Sequence, residues 1–212
     1  MIREQTNGMY GVSSYYFGKL VSALPLDVFF PTIFSLITYW MVGFNMLDAS
    51  RFFLYWFTLV IISIASGSLG LLLGCMLPNA EVAITLAPVV IMPFMLFGGF
   101  FMKIDLIPIW LRWLQYLSLF KYGFEALLTN EFHDTPYHCL PDEFISAVTP
   151  NNYTIEVCPL TNGNQILAQY SLSFDSDFWE AVGIILGLAV GFRALALIFL
   201  SYQTSKGMKK DQ

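Results

Sequence analysis

The stretch Asp27 to Asp48, DVFFPTIFSLITYWMVGFNMLD, holds no charged residue between its two ends. The same is true between Arg51 and Glu81 and between Glu81 and Lys103, and each gap contains 20 or more residues rich in Phe, Leu, Ile, Val and Met. A helix of about 20 apolar residues, rising ~1.5 Å per residue, crosses the ~30 Å hydrocarbon core of a bilayer. Each run therefore reads as a transmembrane helix. A fourth, Ala181 to Tyr202, is interrupted only by Arg193.

Composition agrees. Charged residues are 12% of the chain, where soluble domains carry roughly 25%. Four spans in 212 residues leave one membrane domain and no room for a soluble catalytic domain beside it. The first 15 residues are polar and lack the apolar core of a signal peptide. The spans drawn this way carry no Asp, Glu or His, which argues against an intramembrane enzyme. Nothing points to nucleic acid; the expected partner is the lipid bilayer.

Lys and Arg near span ends set the orientation. Arg3 and Lys19 precede the first span, and Lys206, Lys209 and Lys210 follow the last, so both termini are expected in the cytosol. Asn45 to Arg51 then lies outside, the turn Pro78 to Glu81 inside, and Lys103 to Trp179 outside. Lys103, Arg112 and Lys121 oppose that assignment. Asn152-Tyr153-Thr154 supports it as an N-glycosylation sequon, and Cys139 and Cys158 share the segment, where an oxidising compartment would let them pair. Plasma membrane and organelle membrane are equally compatible. Cys75, at the end of a span, reads as a small apolar residue.

The outer segment divides in two. Ile107 to Leu128 has helical periodicity, with Trp110, Trp113, Leu117 and Phe120 on one face and Arg112, Gln115, Ser118 and Lys121 towards the other. Glu125 follows Lys121 at a helix-supporting spacing. Such a stretch suits an interfacial or re-entrant helix, or an ordinary surface helix. Thr129 to Asp177 is polar and reads as a compact loop. His133, Asp134, His138 and Cys139 lie close together but lack an established metal-ligand spacing, so no metal is expected.

Longer motifs carry a resemblance. Arg3-Glu4 with Asn7-Gly8-Met9-Tyr10, Ser13 to Lys19, Leu24-Pro25 and Pro31, Tyr39 to Gly43, Pro78 to Ala83, Phe94 to Phe101, Ile107 to Ser118 and Tyr122 to Phe132 occur in order along nearly the whole chain. Together they resemble the G (White-type) subfamily of ABC transporters. The resemblance implies the last four of six transmembrane helices of a dimeric exporter of lipids, sterols, pigment precursors or drugs. No G-x-x-x-x-G-K-[ST] phosphate loop occurs, so ATP and magnesium are implied only through a nucleotide-binding domain on another part of the assembly.

The expected fold is thus an all-α integral membrane domain. Residues 1–19 form a cytosolic coupling helix region, 20–102 three transmembrane helices and 103–128 an outer re-entrant amphipathic helix. Residues 129–178 form an external disulfide-bonded loop, 179–203 the last transmembrane helix and 204–212 a cytosolic tail.

The resemblance also places site residues. Arg3 and Glu4 fall where the coupling helix meets the nucleotide-binding domain, or form a solvated face. Glu81 most simply occupies the first turn of its helix, and could make a coupling contact. Thr85, Pro88, Val89, Met92 and Met95 fall on cavity positions; a plain helix–helix interface is the alternative. Phe100 and Phe101 fall at the outer gate, or are packed interfacial aromatics. Arg193 reads as structural. The implied function is the substrate-translocating part of an ATP-driven exporter of hydrophobic molecules, with the second and third spans closing the cavity. It would act as a homo- or heterodimer. The competing reading is a truncated, non-transporting partner that dimerises with complete family members.

Overall fold

Polar residues of the first helix gather on one side of it, and that placement organises the bundle. The computed structural model describes residues 12–44, 48–77, 80–98, 108–136, 145–148, 154–158, 162–170 and 178–208. Its helices are α1 (Val12–Val42), α2 (Ala49–Met76), α3 (Ala80–Leu96), α4 (Arg112–Tyr116), α5 (Leu119–Phe132), α6 (Gly163–Gln169) and α7 (Phe178–Met208). On α1, Tyr16, Ser35 and Tyr39 are buried, whereas Phe29, Phe30, Phe34, Trp40 and Met41 are exposed. A water-soluble helix does the reverse. In hydrocarbon the apolar face meets lipid, and polar groups turn inward to find partners. The Thr32 hydroxyl donates to the Val28 carbonyl at 2.6 Å and accepts from Trp56 Nε1 at 2.9 Å, joining α1 to α2.

α2 runs antiparallel to α1. Near the turn between them, the Tyr39 ring lies 5.1 Å from Phe52 and 5.6 Å from Tyr55. α7 runs parallel to α2, with Trp179 beside Phe57 (6.5 Å between rings) and Arg193 Nε donating to Ser68 Oγ at 2.9 Å further along. Their shared face uses small side chains. Ala65, Ala189 and Ala196 are at most 3% exposed, so the backbones approach closely around Ile185. The Tyr16 hydroxyl donates to the Arg193 carbonyl at 2.9 Å, so the first turns of α1 lie beside the middle of α7.

Three described helices are long and apolar enough to cross a membrane, at Tyr16–Val42, Ala49–Met76 and Phe178–Tyr202. The chain is an integral membrane protein. The expectation of four transmembrane helices is corrected, because α3 has only 17 residues, about 26 Å by helix rise. Pro88 and Pro93 each remove a helix hydrogen bond from it. An even number of crossings, the basis for placing both termini in the cytosol, is therefore not observed among the described residues. The first span also starts earlier than expected. Residues 12–19, read as part of a separate coupling region, are the first turns of α1. Asp27, read as the boundary of the span, lies inside it.

The segment after α3 departs from expectation as well. The single amphipathic stretch 107–128 is broken into a 3-10 turn at Ile109–Leu111, then α4, then α5. Lys121 Nζ sits 5.2 Å over the rings of both Tyr116 and Tyr122; among the described residues it forms no ion pair with Glu125. The fold is not purely helical. Strands β1 (Ile145–Val148) and β2 (Thr154–Val157) pair antiparallel, Ile145 opposite Val157. The disulfide-bonded loop is corrected too: no complete disulfide is found among the described residues. Cys139 lies outside them, and Cys158 is a bonded cysteine whose partner is not described.

α5 packs antiparallel on α2, and Arg51 holds the end of it. Its Nη1 donates to the Asn130 and Glu131 carbonyls, both at 3.0 Å, and to Thr135 Oγ1 at 3.1 Å. Nη2 reaches the His133 carbonyl at 3.3 Å. Asn130 Nδ2 returns a bond to the Arg51 carbonyl at 3.0 Å. These are the carbonyls a helix end leaves without an internal donor, and a cation there also complements the helix dipole. A Cβ on Gly163 would overlap the Phe132 carbonyl oxygen, so α6 docks on the same corner only through a glycine. Replacing Arg51 with Gln should cost about 1–3 kcal/mol, the range for buried acceptors left without partners. Thermal unfolding in detergent measures this, and an unchanged midpoint would refute the capping role.

Candidate functional site: an apolar cavity between α2, α3 and α5

Where α3 leans across α2 and α5, small residues leave space. Gly74 of α2, Ala83 and Ala87 of α3 and Gly123 of α5 line a cavity of about 650 Å³, walled by Ile62, Leu69, Ile91 and Phe124. That volume lies within the range of small-molecule sites. Among the described residues, Ser66 is the sole hydroxyl on the wall. The cavity can hold an apolar molecule and offers it almost no hydrogen bond.

The position of α3 depends on one serine. Ser118 is fully buried. Its hydroxyl donates to the Phe94 carbonyl at 2.7 Å and accepts from Lys121 N at 3.4 Å, capping the start of α5. The ordinary helix donor for Phe94 would be Gly98 N, which instead turns to the Met95 carbonyl at 3.3 Å. Ser118 thus satisfies the carbonyl released where α3 ends and ties that end to α5. Gly98 fits there tightly: a Cβ on it would come within 3.0 Å of the Phe120 Cβ.

The residues expected to line a cavity are not the ones that line this one. Thr85, Pro88, Val89, Met92 and Met95 lie on the other side of α3, roughly a third of a turn from Ala83, Ala87 and Ile91. Val89 and Met92 are each 64% exposed, and the Thr85 hydroxyl donates to the Glu81 carbonyl at 2.9 Å. Glu81 is exposed in the first turn of α3. Arg3, Glu4, Phe100, Phe101, Cys139 and Asn152 lie outside the described residues. Arg193 is half-buried and bonded to Ser68, and Cys75 is a half-buried thiol packed against the core. His133 Nδ1 lies 3.2 Å from Asp134 Oδ2. No cluster of three metal-ligating side chains occurs among the described residues. Sequence reasoning missed the wall formed by α5. The signal was present in Gly123 and the Ser118 cap, but only the contact with α2 shows which face matters.

Comparison with known proteins places the cavity in context. Residues 1–132 match the family model of the ABC-2 type transporters. The chain belongs to that family. It aligns along nearly its whole length with G-family members. One is an ABC transporter ATP-binding protein/permease, wht-1, of Caenorhabditis elegans: 33% identical, covering 94% of this chain and 29% of that protein. Protein white of Drosophila melanogaster is 34% identical over 94% of this chain and 27% of its own length. The mouse broad substrate specificity ATP-binding cassette transporter ABCG2 is 34% identical, over 94% and 30%. The chain spans about three-tenths of the length of these relatives. What the family model recognises is the membrane domain; no nucleotide-binding domain is detected in these 212 residues.

Ser118→Ala should strand the Phe94 carbonyl in an apolar setting and loosen α3 from α5. We expect a loss of about 1–3 kcal/mol, with faster hydrogen exchange confined to 94–98 and 118–122. Exchange unchanged in those segments would contradict the tie.

Proposed function

We propose that the chain is the substrate-translocating membrane part of an ATP-driven G-type exporter of lipids, sterols or other hydrophobic molecules. The observation that carries this reading is the apolar cavity of about 650 Å³ in a chain of the ABC-2 family. Dispersion and the hydrophobic effect bind an apolar ligand in such a cavity without demanding one shape or one hydrogen-bond pattern. The Met92 and Met95 face of α3, exposed in the single chain, is the face we assign to a second membrane domain across a dimer axis. Methionine suits it because the side chain repacks readily. The dimer consists of two copies or of two different G-type chains.

The nucleotide-binding domain supplies the energy, and Arg3, Glu4 and Glu81 are the residues we assign to its contact. Phe100 and Phe101 are assigned to the outer gate, and Asn152 to glycosylation. Mechanically, the reading needs α3 to move against α2 and α5, opening the cavity to one side at a time. Pro88 and Pro93 each remove an internal hydrogen bond from α3, which eases that movement.

Ala87→Phe tests the reading, because its ring would occupy the cavity without adding charge. In the complete protein, efflux of a fluorescent sterol or an apolar dye should fall about tenfold or more, an effect of at least ~1.4 kcal/mol, with ATP hydrolysis retained. Efflux at the unsubstituted rate would overturn the assignment.

A further inference from the structure

A second cavity, of about 320 Å³, lies between α1, α2 and α7, and its walls are charged. α1 contributes Lys19 and Asp27, α2 contributes Ser68 beside Gly67 and Gly70, and α7 contributes Arg193. Asp27 lies 11 residues after the start of the span at Tyr16, about 16 Å deeper by helix rise. A charge at that depth is costly unless paired. Among the described residues, however, the Asp27 carboxylate forms no hydrogen bond or ion pair. Arg193 commits only Nε, to Ser68, and Lys19 is exposed at the shallow end of the cavity.

The surrounding structure holds the groups apart. The Tyr16 hydroxyl grips the Arg193 carbonyl at 2.9 Å, and the Ser68 hydroxyl donates to the Ile64 carbonyl at 2.6 Å while accepting from Arg193. Asp27 faces Gly67 of α2; a Cβ there would come 3.6 Å from Asp27 Oδ2, so a larger side chain would enter the gap. Pro31 has no N–H to give the Asp27 carbonyl, so the same turn carries a second acceptor without its helix donor. The cavity therefore presents acceptors at its deep end and two cations along its flank.

We infer that this cavity binds the zwitterionic headgroup of a bilayer phospholipid. A phosphate between Lys19 and Arg193, with an ammonium group towards Asp27, satisfies all three charges. An anion alone would face Asp27, and a cation alone would face Arg193 and Lys19. Further along α1, three and seven residues beyond Asp27, Phe30 (64% exposed) and Phe34 (57% exposed) present an apolar surface along which acyl chains can lie. The site is distinct from the α2–α3–α5 cavity, although Gly70 borders both, and its occupation does not require that the bound lipid be transported.

The test is native mass spectrometry of the complete protein, titrated with dioleoyl phosphatidylcholine, dioleoyl phosphatidylglycerol or soluble phosphocholine. Wild-type protein should retain phosphatidylcholine about tenfold better than phosphatidylglycerol, the size expected for one charge-assisted contact. Asp27→Asn should remove that preference, and Ala23→Trp, which fills the cavity, should lower phosphatidylcholine occupancy about tenfold. Ala87→Phe, aimed at the apolar cavity, should leave lipid occupancy unchanged even where it abolishes efflux. Asp27→Asn is nearly isosteric, so the charge is read even if Ala23→Trp does not fold. Equal retention of the two lipids by wild-type protein, or unchanged preference in Asp27→Asn, overturns the inference. So does loss of lipid in Ala87→Phe, and so does phosphocholine binding as tightly as the lipid, which would make the ligand a free solute.

Discussion

In hydrocarbon, a backbone carbonyl without a donor is expensive, and this structure is arranged around supplying those donors. Proline at 25, 31, 88 and 93 removes a helix N–H at each position, while the ends of α3 and α5 release further carbonyls. Side chains from neighbouring helices answer. At the helix ends, Ser118 reaches Phe94 and Arg51 collects the last carbonyls of α5. Each of these bonds joins two elements distant in sequence, so satisfying the backbone and fixing the bundle are one event. Apolar burial alone could not do it, since lipid tails solvate leucine as well as another helix does.

The same constraint explains the two cavities. Tight α2–α7 contact through alanines leaves α1 and α3 as outer helices with looser packing. Against α3, the walls are aliphatic and aromatic and the space suits an apolar guest. Against α1, inward polar groups leave a charged recess instead. One small helix, α5, decides the first cavity. At its Gly123 a Cβ would come 2.8 Å from Ile62 Cδ1, so a larger residue there would have to displace the Ile62 side chain on the cavity wall.

Membrane class and the α2 and α7 spans were legible from charge spacing. The start of α1 was not. Reading spans as charge-free intervals makes Asp27 a boundary, yet a carboxylate turned inward is tolerated within a helix. Counting α3 as a span failed for a different reason: hydropathy registers its apolar content and not the turn at Gly98 that follows its 17 residues. The β1–β2 pair had a local signal in the β-branched residues of Ile145 to Val148 and Thr154 to Val157, which the polar composition of the loop obscured. The cavity face of α3 was the least legible feature. Both faces are apolar, so only the side on which α5 packs separates them.

The central claim is that hydrophobic molecules occupy the space between α2, α3 and α5. The most direct measurement is photolabelling of the complete protein with a diazirine-bearing sterol, followed by mapping of labelled residues with and without excess unlabelled sterol. The account predicts competable labelling at Ile62, Leu69, Ile91 and Phe124. Labelling confined to the outward face of α1, and insensitive to competitor, would contradict it.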